Sequence, residues 1–121
     1  MAGKSTERDL DERLMKYSAD IIRFCIKLSR EFPRKLRDQL VTSSTSVGAN
    51  TQEAQGAESK ADFIHKLQIS LKEMRESYYW LKVVYHSGIQ GAVPIDDLLI
   101  EAKQLRAILS KCVATAKGKN K

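Results

Sequence analysis

Apolar side chains recur at alternating intervals of four and three residues in separate stretches of this 121-residue chain. An α-helix turns about every 3.6 residues, so that interval lays a stripe along one helix face, whereas a half-buried strand alternates every second residue. In the first stretch the stripe is Leu10, Leu14, Tyr17, Ile21, Phe24 and Leu28, and Ile22 and Cys25 widen it. A helix is expected over 8–31, after a flexible start at 1–7. Pro33 ends it by disfavouring helical geometry at Phe32, and can then occupy the first turn of the next helix.

The third stretch is the clearest. Ile64, Leu67, Leu71, Met74, Tyr78, Leu81 and Tyr85 keep the interval, with Phe63 and Val84 beside them. Ser59 with Asp62 three residues on forms an N-terminal cap, and Gly88 suits a C-terminal cap, which predicts a helix over 60–87. In the fourth stretch Leu98, Ala102, Leu105, Leu109 and Cys112 follow Asp96 and Asp97, whose carboxylates suit the positive end of a helix dipole. Ile95, Ile108 and Val113 add width, and the helix is expected over 95–116, followed by a basic disordered tail at 117–121.

The second stretch carries a conflict. Leu36, Leu40, Ser43, Val47, Asn50 and Ala54 keep the stripe, yet Thr42–Ser46 and Gly48 read locally as a loop. Small residues on one face also permit close helix approach, and this favours one helix over 34–57, bent near Val47–Gly48. A true loop at the Ser/Thr run would break the four-helix count.

Four helices of similar length with short connections predict an all-α fold, an antiparallel up-down-up-down four-helix bundle. Only six Gly and two Pro argue against a turn-rich all-β fold. No run approaches the roughly 20 apolar residues that span a bilayer. The opening MAGKSTERDLDER lacks the apolar segment of a secretory signal, so a cytoplasmic chain with no membrane partner is expected.

The net charge of +6 is unevenly spread. Residues 23–37 hold Arg23, Lys27, Arg30, Arg34, Lys35 and Arg37 against Glu31, giving +5, and residues 111–121 add four lysines. The remainder is slightly acidic. Such clusters suit a polyanion such as RNA or DNA, because phosphate neutralisation releases counterions. A solvated face with a solubilising tail is the plainer reading of the same charges.

Catalytic chemistry finds little support. A di-metal bundle site needs two Glu-x-x-His pairs, and the chain offers one near-match, Asp62 with His65, and one further histidine, His86. Cys25 and Cys112 lie on apolar faces and read as small buried hydrophobes. There is no phosphate loop and no Gly-x-Ser-x-Gly elbow. No enzyme, cofactor or metal is expected. Within Tyr78-Tyr79-Trp80, Tyr78 is core by phase, while Tyr79 and Trp80 fall on the flanks, at a core edge or a subunit interface.

Three ordered blocks carry a family resemblance: Ser46-Val47-Gly48-Ala49-Asn50-Thr51-Gln52-Glu53-Ala54, then Ser59 to Leu67, then Leu71-Lys72-Glu73-Met74-Arg75-Glu76-Ser77-Tyr78-Tyr79-Trp80-Leu81. Together they resemble the bacterial four-helix-bundle family, also called the ribosomal-RNA intervening-sequence protein family, over about residues 17–113. The resemblance implies a homopentameric antiparallel bundle without catalytic residues. It also implies a relationship to the accessory variability determinant proteins of diversity-generating retroelements, which bind a reverse transcriptase and nucleic acid. Asn50 and Glu53 match the family's helix-two motif, and Lys72, Glu73, Glu76, Trp80 and Leu81 its helix-three motif. Asn50 falls on an apolar stripe, where a polar group needs a hydrogen-bond partner. Asn50 and Glu53 are therefore expected to hold the corner between helices two and three.

The expected function is a non-enzymatic homo-oligomer, a pentamer by resemblance, that binds nucleic acid through its basic surface. The alternative is an adaptor that docks a protein such as a reverse transcriptase.

Overall fold

The computed structural model describes the backbone of residues 2–118 and the side chains of residues 9–118. Among the described residues the only regular elements are four helices: α1 (Ala2–Lys27), α2 (Arg34–Gln55), α3 (Lys60–Ser87) and α4 (Asp96–Ala116). Each packs on its neighbour in sequence, and α4 returns to α1, which closes an up-down-up-down bundle. The antiparallel sense is visible in the cross-links. Asp11, Ser18 and Cys25, in ascending order on α1, meet Gln55, Ser44 and Arg37, in descending order on α2.

The stripes meet in one core. Leu14, Tyr17, Ile21, Phe24 and Leu28 of α1 face Leu40, Val47 and Ala54 of α2, with Met74, Leu81 and Val84 of α3 and Ala102, Leu105 and Leu109 of α4. The closest seam is α2–α3, where the small buried Thr51 and Ser70 meet across it. The loosest is α1–α4.

The Ser/Thr run of α2 is uninterrupted helix. Its hydroxyls turn back onto its own carbonyls: Ser43 Oγ donates to Gln39 O at 2.6 Å, Thr45 Oγ1 to Val41 O at 2.8 Å and Thr51 Oγ1 to Val47 O at 2.9 Å. Groups that favour turns in isolation are thereby satisfied inside the helix. Asn50 is half-buried rather than core, and Ser44 and Thr51 take the buried positions beside it.

Several expectations about single positions are corrected. Ile22 does not widen the core stripe; it is exposed, in line with Met15 and Ile26 on the outer face of α1. Tyr78 and Tyr85 are half-buried and exposed, because the core path on α3 runs through Ser70, Ser77 and Val84. Seven-residue spacing drifts around a 3.6-residue helix, and the small serines let α2 close over that side. Cys25 is buried, but Cys112 is only half so.

The helix ends follow local chemistry. Ser59 Oγ accepts from the Asp62 backbone N–H at 3.0 Å, and Gly88 ends α3 in the left-handed region at φ 69°. α1 ends at Lys27 rather than at 31, where tight turns from Leu28 N–H to Cys25 O and Phe32 N–H to Ser29 O take over. At its other end α1 reaches back to Ala2, through residues 2–7 that were expected to precede the helix. The tail expected at 117–121 lies outside the described residues beyond Gly118.

Candidate nucleic-acid interface

The basic stretch becomes a corner, because α1 ends and α2 begins at one end of the bundle. Its six cations do not have one role. Arg37 is structural: its guanidinium donates to Cys25 O at 2.6 Å and to Ser29 O at 2.9 Å, and lies 5.6 Å from the centre of the Phe32 ring. It caps the carbonyl end of α1, where a cation is favoured by both the free acceptors and the dipole. Arg23 is paired along its own helix with Asp20 at 2.9 Å, and Lys16 reaches the other oxygen of the same carboxylate at 2.8 Å.

Lys27, Arg30, Arg34 and Lys35 are exposed, and none makes an ion pair or a side-chain hydrogen bond with a described residue. They are the part of the corner free to meet a ligand. On its inner side, Lys27 and Arg23 border a groove of about 800 Å³ between α1 and α4, and Asp96, Asp97 and Glu101 line the opposite wall. That wall repels phosphate, so the accessible anion surface is the outer side of the corner.

The motif residues of α2 and α3 are distributed elsewhere. Asn50 Nδ2 donates to Ser46 O at 2.9 Å, a bond within its own helix. Glu53 Oε1 accepts from Lys66 Nζ at 3.0 Å and so ties α2 to α3 near their connection. Leu81 is fully buried in the core. Trp80 is half-buried, edge-on to Tyr79 at 5.2 Å between ring centres, and its buried Nε1 has no hydrogen-bond partner among the described residues. Burial raises the Glu73 carboxyl above its ordinary pKa, Glu76 adds to the rise, and Lys72 opposes it. Lys72 itself is exposed, beside Arg75 and Lys117 in a shallow groove.

Among the described residues no group of three His, Cys, Asp or Glu could hold a metal ion. His65 and His86 are exposed, and the latter stands edge-on to Tyr85 at 5.6 Å. Burial raises both thiols above the ordinary value, and at Cys25 the Arg37 charge offsets part of the rise. A raised thiol holds little of the reactive thiolate near neutrality.

Sequence reasoning passed over two features. Arg13 grips Glu101 with two bonds of 2.7 Å and reaches Gln104 at 2.6 Å, the main polar link across the α1–α4 seam. Met15, Ile22 and Ile26 form an outward apolar stripe whose intervals of seven and four were readable in the sequence. It was masked by the stronger inward stripe on the same helix.

Comparisons with known proteins bear on the whole bundle. Residues 9–111 match the family model described as 23S rRNA-intervening sequence protein, a span that holds the basic corner and both motif helices. A crystal structure of a protein of unknown function from the S23 ribosomal protein family of Bacteroides thetaiotaomicron VPI-5482 is similar at a TM-score of 0.78 and 25% identity. The similarity covers 88% of this chain and 96% of that one. Among curated proteins none matches.

Proposed function

This chain belongs to the 23S rRNA-intervening sequence protein family, and from that premise we propose that it is a non-enzymatic, homo-oligomeric protein that binds nucleic acid. The observation that carries the reading is the set of four unpaired, exposed cations, Lys27, Arg30, Arg34 and Lys35, gathered at one corner of the bundle. Contacts of this kind hold phosphate and carry little sequence preference. Self-association, to a pentamer by family resemblance, draws on the exposed Met15, Ile22 and Ile26 stripe, which repeats one apolar face on every copy. Symmetric copies of a modest patch give avidity without a strong single site.

The test is binding of RNA and DNA as a function of salt. Log affinity should fall linearly with log salt, with a slope of about −0.9 per phosphate neutralised on duplex DNA. Replacing Lys27, Arg30, Arg34 and Lys35 by Gln should flatten that slope without changing the melting temperature. A flat dependence in the parent chain, or no binding at low salt, overturns the proposal. Sizing at micromolar concentration tests the oligomer, which a monomer mass would contradict.

A second reading, an adaptor for a protein such as a reverse transcriptase, is favoured by the exposed rings of Tyr79 and Tyr85. Its expected signature is a complex insensitive to the four-cation variant and lost in Tyr79→Ala.

A further inference from the structure

A second pocket among the described residues lies at the end of the bundle opposite the basic corner. There the start of α1, the end of α2, the start of α3 and the end of α4 leave a cavity of about 480 Å³. Leu10, Phe63, Leu67, Ile108, Cys112 and Ala116 form its walls, and all but Leu67 are half-buried. The loose α1–α4 seam explains the opening: with little contact between these helices, the apolar stripe of α4 is left partly uncovered towards its end.

Three polar groups of the described wall, Thr51, Gln55 and Thr115, are committed. Thr51 Oγ1 lies within hydrogen-bond reach of Val47 O and Ser70 Oγ, both at 2.9 Å. Gln55 Nε2 is held by the Asp11 carboxylate at 2.9 and 3.1 Å. Among the described residues of the lining the only charged one is Lys111, which is exposed and makes no ion pair or side-chain hydrogen bond with a described residue. An apolar chamber in the 300–1,000 Å³ range of ligand sites, with the free Lys111 cation on its described wall, complements a molecule with an apolar tail and an anionic head.

We propose that this chamber binds one fatty carboxylate, its tail between α1 and α4 and its head on Lys111. Taking a methylene as about the size of a water, roughly 30 Å³, the space accepts a chain of about a dozen carbons with the mouth left free. The uncommitted Lys111 ammonium selects the carboxylate over a neutral or cationic head. The site lies at the other end of the bundle from the nucleic-acid corner and does not depend on that reading.

Cys112 is a reporter built into the wall. The full chain is titrated with dodecanoate below its micelle concentration, and binding is followed by calorimetry. Iodoacetamide labelling is read by mass spectrometry for Cys112 and Cys25 separately. The expected result is one dodecanoate per chain, slower labelling of Cys112 and unchanged labelling of Cys25. Lys111→Gln should weaken dodecanoate by up to about fivefold, the range of an exposed ion pair, and leave dodecanol unaffected. Ile108→Trp, which fills the chamber, should abolish both. The proposal is overturned by non-saturable uptake, by equal affinity for dodecanoate and dodecyltrimethylammonium, or by unprotected Cys112. It is also overturned if Cys112 becomes protected without ligand as protein concentration and oligomer mass rise together, because a second copy would then occupy the chamber.

Discussion

At the residue scale, the same residue type has opposite duties a few positions apart. Arg37 spends its charge on the carbonyls of α1, whereas Arg30 and Arg34 face solvent unpaired. Arg37→Ala should therefore cost about 1–2 kcal/mol in chemical denaturation, in line with hydrogen bonds to a charged group, while Arg30→Gln should cost nothing measurable. Arg37→Lys should recover only part of the loss, because an ammonium lacks the planar fork that spans two carbonyls. Tyr17 makes a second residue-scale prediction. Its hydroxyl shares a buried 2.6 Å hydrogen bond with Ser77 Oγ, and burial raises its pKa far above the ordinary 10.0. The unfolded chain releases this proton first, so the native state binds more protons above pH 10, and stability should fall as pH rises beyond it. The drop should be at most about 1.4 kcal/mol per pH unit and absent from Tyr17→Phe, read as the difference between the two denaturation curves. The phase of Tyr17 was legible in the sequence. Its partner Ser77 was not, because a hydrogen bond across a bundle leaves no trace in the periodicity of either helix.

At the element scale, α2 shows where local propensity yields to context. Its Ser/Thr run reads locally as a loop, and the stripe through Leu40, Val47 and Ala54, with small residues on one face, favours a helix. Hydroxyls bonded back to Gln39, Val41 and Val47 resolve the conflict in the helix's favour. Gly48 is the remaining weak point. A Cβ built there lies 3.6 Å from Leu14 Cβ, an ordinary contact, so the close approach of α1 does not require glycine. Gly48→Ala should stabilise the bundle by about 0.5–1 kcal/mol, the helix-propensity difference, measured as a rise in denaturation midpoint at unchanged slope. Helix identity was readable in all four stretches because inward stripes are strong signals. Among the side chains whose burial was misread, Ile22, Tyr78, Tyr85 and Cys112 lie at the margin of a stripe. There, burial is decided by the neighbouring helix rather than by phase.

At the scale of the whole molecule, the bundle is asymmetric in tightness. Serines let α2 and α3 close on one another, while α1 and α4 rely on the Arg13–Glu101 pair, whose side chains are about a third exposed. Amide exchange should be slowest in the middle of α2 and α3 and faster in α1 and α4. Glu101→Gln should speed exchange across the α1–α4 seam by the factor expected for roughly 0.5–1 kcal/mol and leave α2–α3 amides unchanged. The up-down-up-down order was legible because four amphipathic stretches joined by short connections admit few other packings. The unequal seams were not, since they depend on which small residues face which helix. The candidate interface was half legible: charge counting located the corner, but only the geometry separates the four available cations from Arg37, which is a cap, and Arg23, which shares Asp20 with Lys16.

An even number of antiparallel helices also sets where the chain enters and leaves the bundle. Leu10 and Ala116 line the same chamber, so the start of α1 and the end of α4 are side by side, a full helix length from the basic corner. The order of the helices along the gene is thus separable from their order around the core. A short flexible tether between these two ends, with the chain reopened in the α2–α3 connection at residues 56–59, would yield a permuted polypeptide whose α1–α4 seam is a covalent hairpin and whose basic corner is untouched.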